Sequence, residues 1–318
     1  MTDHGKIYVW IVISFLFVTV AVKAQVDAQY SQYNEILNYY NPAAAGRDNQ
    51  LAIQAIHKMQ WVGMDNAPMS FFFTAHSPIR FLRQNHGIGF ALFNESIGLY
   101  TNQSFALQYA YKMNLWGGQL SFGPQLGLFD QRFDATKIHI PSSDYHQPSE
   151  DGIPTGDMQG MTFDMAFGIF YSHKKFYVGL SCTHLLESTV ELDSKTTSYL
   201  PRAYYFSAGY NIPLKKSLIE LQPSLLLKTD LNIVLVDVSL RAWYDKRFYA
   251  AMTWRYGDAV VVMAGARIKS VQVGYAYDIN TSAIAKVSSG SHEMMLSYCF
   301  DWGKLGHKKN KHKSVRIL

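Results

Sequence analysis

Apolar and polar residues alternate one by one through stretches of about ten residues, and that pattern recurs down most of the chain. From Asn232 to Ala242, Val234, Val236, Val238, Leu240 and Ala242 fall on one parity, while Leu235, Asp237, Ser239 and Arg241 fall on the other. Just before it, Ile219, Leu221, Leu225 and Leu227 oppose Glu220, Gln222, Ser224 and Lys228. Phe105, Leu107, Tyr109 and Tyr111 oppose Ser104, Ala106, Gln108 and Lys112, and Phe163, Met165, Phe167 and Ile169 oppose Thr162, Asp164, Ala166 and Gly168. Near the end Met294, Leu296, Tyr298, Phe300 and Trp302 oppose Glu293, Ser297 and Asp301. Side chains of a strand point to opposite faces in turn, so each stretch is a strand with one apolar and one polar face.

Fourteen such strands can be drawn, starting near residues 50, 68, 87, 102, 118, 161, 175, 202, 217, 232, 247, 259, 270 and 291. An even number of antiparallel strands with one apolar face predicts an all-β fold, a transmembrane β-barrel over residues 50–302 with both termini in the periplasm. The connections alternate as such a barrel requires. Those on the far side from the termini include the longest, Gln131–Gly160, Glu187–Pro201 and Asp278–Gly290. Those on the near side are short: Asn114–Gly118, Ser172–Lys174, Asn211–Lys216, Tyr244–Lys246 and Arg267–Lys269. Charge divides along the same line. Lys174, Lys175, Lys215, Lys216, Lys246, Arg247 and Lys269 sit at the short turns; Asp134, Asp144, Glu150, Asp151, Asp157, Glu187, Glu191 and Asp193 sit in the long loops.

The N-terminus supplies the route to a membrane. Lys6 precedes an apolar run, Ile7 to Val22, which ends in Val22-Lys23-Ala24. The run is shorter than the roughly 20 residues a helical span needs, so residues 1–24 read as a cleavable signal peptide with the mature chain starting at Gln25, rather than as an anchor. No later apolar run approaches the length of a helical span. The chain is 48% hydrophobic and only 17% charged, with 21 Tyr, 19 Phe and 6 Trp. A soluble β-sandwich could match that composition and also alternate. It would not need this many outward aromatics together with an export signal and alternating loop lengths. Cys182 and Cys299 lie too far apart in sequence for a disulfide framework or a zinc spacing and read as small wall residues.

Two segments fall outside the strands. Residues 25–49, aromatic and turn-rich without a clean period, are expected to plug the lumen or pack at its periplasmic mouth. The tail, 303–318, carries Lys304, Lys308, Lys309, Lys311, Lys313 and Arg316 and no acid. Those six turn a formal charge of about −1 into +5. A basic appendage in the periplasm reads either as a solvated tail or as a docking peptide for an acidic partner; the compartment excludes nucleic acid. Along the polar faces, Glu220, Asp237, Arg241, Arg255 and Arg267 form a candidate lumen charge network, either a salt-bridged interior that helps close the pore or a selectivity patch. The aromatic N-terminal segment is available to fill the space, which favours the first.

Catalytic patterns are missing from the sequence: no Gly-Xaa-Ser-Xaa-Gly elbow, His-Glu-Xaa-Xaa-His or phosphate loop occurs. Ser70 and His76 share the polar parity of one strand, but no third orienting group accompanies them. His307 and His312 stand among lysines that repel cations. The expectation is a non-enzyme without a cofactor, with a diffusion channel for small solutes as the alternative to a binding or scaffold role.

Short motifs then bring a resemblance into view. They are Asp27-Ala28-Gln29-Tyr30-Ser31-Gln32-Tyr33 and Tyr40-Asn41-Pro42-Ala43-Ala44-Ala45-Gly46 at the mature start, then Met59-Gln60-Trp61-Val62-Gly63 with Ala67-Pro68. Gly87-Ile88-Gly89-Phe90 with Gly98 follows, then Gln222-Pro223-Ser224-Leu225-Leu226-Leu227-Lys228 and Trp254-Arg255-Tyr256-Gly257-Asp258-Ala259. Gly274-Tyr275-Ala276-Tyr277-Asp278 and Ser291-His292-Glu293-Met294-Met295-Leu296-Ser297-Tyr298 complete the series. In order and spacing the chain resembles the PorP/SprF outer-membrane proteins of the Bacteroidetes type IX secretion and gliding machinery. An arginine commonly stands just before the Gln-Trp pair in that family, where this chain has Lys58-Met59. The resemblance implies a secretion component that engages periplasmic ring proteins (PorK- and PorN-like) and a PorE-like peptidoglycan-binding protein, or that helps deliver a secreted adhesin through its C-terminal domain.

Overall fold

The computed structural model describes residues 27–48, 50–137, 156–194 and 196–300. The signal-peptide reading, its cleavage site and the basic tail fall outside the described residues. Alternation becomes wall as expected. The strands are β1 (Leu51–Met59), β2 (Met69–Phe81), β3 (Gln84–Ile97), β4 (Tyr100–Leu115), β5 (Gly118–Asp134), β6 (Asp157–Ser172), β7 (Phe176–Thr183), β8 (Thr189–Glu191), β9 (Thr197–Tyr199), β10 (Ala203–Tyr210), β11 (Ile212–Pro213), β12 (Ile219–Thr229), β13 (Val234–Tyr244), β14 (Phe248–Arg255), β15 (Ala259–Ile268), β16 (Val271–Asn280) and β17 (Ser291–Phe300). Fourteen of them, all but β8, β9 and the two-residue β11, form a closed antiparallel barrel. Closure is made by β1 on β17, with Leu51 opposite Phe300 and Met59 opposite His292, and by β10 bridging β7 and β12. Every wall strand begins within four residues of its expected start. No helix among the described residues is long and apolar enough to cross a membrane.

Burial is inverted relative to a soluble protein. Along β13 the outward Val238 and Leu240 are exposed, and the inward Asp237, Ser239 and Arg241 are buried. On β17, Met294, Leu296 and Tyr298 are exposed while Glu293 and Ser297 are buried. Apolar surface that would be costly in water is at home in lipid, and the closed ladder leaves no unpaired backbone edge within the bilayer.

β1 begins and β17 ends on one rim, the terminal rim, together with the short turns, whereas Asp27 lies inside the lumen toward the opposite rim. Two of these turns, Leu82-Arg83 and Trp116-Gly117, hold both residues at positive φ, the mirror-image turn that matches strand twist. The opposite loop rim carries the long connections. There β6 outruns β7, and the outward faces of β5 and β6 turn polar: Gln159 donates to Asp130, and Arg132 pairs with Asp157. The chain between β7 and β10 folds back over the mouth, where the hairpin β8–β9 packs Val190, Leu192 and Leu200 on Phe129 and Met158.

Candidate functional site

The lumen is occupied. Residues 27–48 enter it as an extended start, a tight turn, one helical turn α1 (Leu37–Tyr40) and a 3₁₀ turn at Pro42–Ala44. Tyr30, Tyr33, Ile36, Leu37 and Tyr40 are almost fully buried against Ile56, Phe72, Phe170, Tyr205 and Leu226 of the wall. The aromatic content that breaks strand periodicity here thus forms the main apolar core among the described residues, with smaller clusters under the β8–β9 hairpin and around Trp243 and Tyr249.

The Pro-Ala-Ala-Ala-Gly run is small because the wall comes very close. A Cβ on Gly123 would lie 2.3 Å from the Ala43 nitrogen, and one on Gly87 would lie 2.0 Å from the Ala45 carbonyl oxygen. Asn41 ties the same run down. Its amide donates to the carbonyls of Ile169 (3.0 Å) and Leu180 (3.1 Å), and its side-chain oxygen accepts from the Ala43 N–H (3.0 Å).

Charged side chains hold the rest of the plug. Toward the loop rim, Arg255 lies between Asp237 (3.2 Å) and Asp278 (3.0 Å), and Lys58 contacts Asp278 (2.9 Å) and Glu293 (3.8 Å). All five are nearly solvent-free, so their charges depend on one another and on hydrogen bonds from the plug. Glu293 accepts the Ser31 N–H (2.7 Å) and the Gln32 N–H (2.8 Å) on its two oxygens. Ser31 Oγ donates to Asp278 (2.8 Å), Gln29 Nε2 donates to Asp237 (3.0 Å), and Lys58 Nζ donates to the Gln29 carbonyl (2.8 Å). Toward the terminal rim Arg241 pairs with Glu35 and lies 4.7 Å over the Tyr249 ring.

Of the five residues expected to form one lumen network, the structure joins Asp237 and Arg255 directly. Arg241 instead serves Glu35 of the plug. Arg267 bonds Gln272 (2.9 Å) and lies 4.7 Å over Trp243, and Glu220 meets Gln222 (3.0 Å) near the terminal rim. Lys58, Asp278 and Glu293, which were not among the five expected, complete the main cluster. All three lie on the buried, polar parity of their strands, which was the available signal. Lys58 is fully engaged, by Asp278, Glu293 and the Gln29 carbonyl. Ser70 and His76 both face the lumen, where His76 Nδ1 accepts the Gly46 N–H (3.1 Å). Cys182 and Cys299 are free thiols on the wall. The tail residues Lys304, Lys308, Lys309, Lys311, Lys313 and Arg316, with His307 and His312, lie outside the described residues. Among the described residues no group of three potential metal ligands converges.

A separate latch holds the first described residue. Asp27 accepts from His184 Nε2 (2.9 Å) and from the Tyr205 hydroxyl, and its carbonyl accepts Lys228 Nζ (2.7 Å). His184 Nδ1 lies 3.0 Å from Asp164. Burial works against a charged His184, but Asp27 and Asp164 outweigh it and raise its pKa from 6.5 to about 10. Burial likewise opposes ionised Asp27, yet His184 and Lys228 hold its carboxyl well below the usual range. A raised histidine pKa stabilises the docked state fully below about 6.5, and that contribution is lost as pH climbs from there through about 10. Thermal stability of the detergent-solubilised barrel should therefore fall across that alkaline window. His184→Gln should remove the slope; an unchanged slope in that variant would reject the latch.

Below the plug, the terminal rim opens into a vestibule of about 930 Å³ lined by both signs of charge, including Glu35, Asp48, Arg47, Lys246, Arg267 and Lys269.

A search of curated proteins finds no match. Among solved structures the chain is similar to the Acinetobacter baumannii outer membrane protein Omp33, at 9% identity and TM-score 0.47 over 79% of this chain and 97% of that one. It is also similar to the Ralstonia pickettii toluene transporter TbuX (10%, TM-score 0.47, 82% and 92%) and to a mutant of the monoaromatic hydrocarbon channel TodX (7%, TM-score 0.48, 80% and 90%). A family model, type IX secretion system membrane protein PorP/SprF, matches residues 22–298. That match spans the plug and all but the last two residues of the described wall, and on it the chain belongs to the PorP/SprF family of type IX secretion system membrane proteins.

Proposed function

We propose that this outer-membrane component of the type IX secretion system acts as a scaffold, its wall serving as anchorage and its two rims as contact surfaces. The observation that carries this reading is the filled lumen: residues 27–48 occupy it on buried ion pairs, which leaves the rims as the surfaces free to meet partners. In this reading the terminal rim is periplasmic and engages PorK- and PorN-like ring proteins, a PorE-like protein, or the C-terminal domain of a secreted adhesin. The basic tail follows the last wall strand on that rim and would add charge complementarity to an acidic partner. The loop rim would face the exported protein. No enzymatic step and no cofactor enters this reading.

Deleting 303–318 tests the tail's part in it. Cross-linking in native membranes, followed by mass spectrometry, should show ring proteins or an adhesin on the full chain and at least several-fold less on the truncated one. Undiminished recovery would remove the tail from the proposal and leave the barrel as the sole contact.

A further inference from the structure

At the loop rim, beneath the β8–β9 hairpin, a second cavity of about 590 Å³ opens outward. Its floor is acidic and underused. Glu95 faces inward from β3 with only 7% of its surface exposed, and its one side-chain hydrogen bond is a long one, 3.5 Å from Asn102 Nδ2. Beside it Gln131, also 7% exposed, gives its amide to Asn102 (2.8 Å), while its buried carbonyl oxygen has no partner. A buried carboxylate with no cation in direct contact and an amide oxygen without a donor are both costly. They are also what a cationic donor group would satisfy. The cations nearby are committed elsewhere. Arg202 pairs with Glu187 (3.4 Å) and donates to the Leu185 carbonyl (3.0 Å), and Lys228 donates to the Asp27 carbonyl (2.7 Å) beneath the floor. Asp230, also on the lining, spends its carboxylate on the Asn232 and Ile233 N–H groups.

The walls are of a different kind. Tyr100, Tyr199 and Leu231 line the entrance and are exposed, Leu231 by 77%. An aliphatic stem fits such walls, and a tyrosine face also attracts a cation. Acidic floor, apolar throat and outward opening together describe a receptor for a basic side chain. A lone carboxylate with two amides lacks the donor set of a divalent-cation site.

We propose that this loop-rim cavity binds a lysine or arginine side chain of a polypeptide, its stem against Tyr100, Tyr199 and Leu231 and its cationic head on Glu95 and Gln131. The cavity chemistry stands on the geometry; that the basic residue belongs to an exported chain rests on the secretion reading.

The test uses the full chain in detergent and an acetylated, amidated Leu-Lys-Leu peptide, with its norleucine analogue and free butylamine as comparison probes, read by calorimetry. The lysine peptide should bind at least tenfold more tightly than the norleucine analogue and than butylamine. Glu95→Gln should abolish that preference while leaving heat-modifiable gel mobility unchanged, and Tyr199→Ala, on the exposed hairpin, should weaken the lysine peptide several-fold. Equal binding of lysine and norleucine peptides, or a preference that survives Glu95→Gln, would overturn the site. Butylamine matching the peptide would overturn the polypeptide as occupant in favour of a small amine. If the peptide fails to bind while secretion partners still cross-link to the barrel, the cavity proposal falls and the scaffold reading stands.

Discussion

Arg255→Ala is expected to destabilise the barrel by about 3–5 kcal/mol, the usual cost of removing one partner from a buried ion cluster. The guanidinium sits between Asp237 and Asp278 and also reaches Ser31 Oγ (3.2 Å) and Asp258 (3.7 Å). Its loss leaves two nearly solvent-free carboxylates with Lys58 as the remaining buried cation. Repulsion between them acts directly on the plug, because Asp237 holds Gln29 and Asp278 holds Ser31. The readout is the temperature at which the compact gel band converts to the unfolded one. Arg132→Ala provides the scale: its pair with Asp157 is solvent-exposed, and such pairs add little to stability. The double variant Arg255→Met with Asp237→Asn should recover part of the loss, since it removes a charge of each sign. If Arg255→Ala is no worse than Arg132→Ala, the buried cluster is not what holds the plug.

The second large effect concerns the pore. The wild-type barrel is expected to be silent in planar bilayers, and Gly123→Leu is expected to conduct. Any side chain at position 123 must enter space held by the Ala43 backbone, with atoms at 2.3 and 2.4 Å from the new Cβ. Backbone cannot rotate away as a side-chain tip can, so the Pro42–Ala44 turn has to leave the wall. Asn41 then loses its bonds to Ile169 and Leu180. Overpacking alone costs about 1–3 kcal/mol; the larger consequence is a vacated lumen. Deletion of 27–48 gives the reference conductance. Should Gly123→Leu stay silent while the deletion conducts, the plug tolerates displacement and the close contact is not essential. A wild-type barrel that conducts steadily would instead favour the small-solute channel over the scaffold.

The wall was legible because lipid imposes a strict rule. With apolar side chains outward and polar ones inward, parity alone marks each strand, as in Val238 and Leu240 against Asp237 and Arg241. Turn chemistry was less legible. The Leu82-Arg83 turn adopts positive φ without glycine or asparagine, so β3 begins at Gln84, ahead of the expected 87. The hairpin β8–β9 escaped notice because its strands are only three residues each, and what defines them is packing on Phe129 and Met158 from distant strands.

The sequence by itself determined a fourteen-stranded antiparallel wall with an aromatic segment ahead of it, because alternation and loop length are local properties. Only the tertiary structure decided where that segment goes and which charges meet. Gln29 finds Asp237, Ser31 finds Glu293, and Glu35 finds Arg241, each across roughly 200 residues or more. Such pairings depend on closure of the barrel, which brings β1 beside β17 and turns every inward parity toward one shared interior. Parity can say that Lys58, Asp278 and Glu293 point inward; it cannot say that they point at each other.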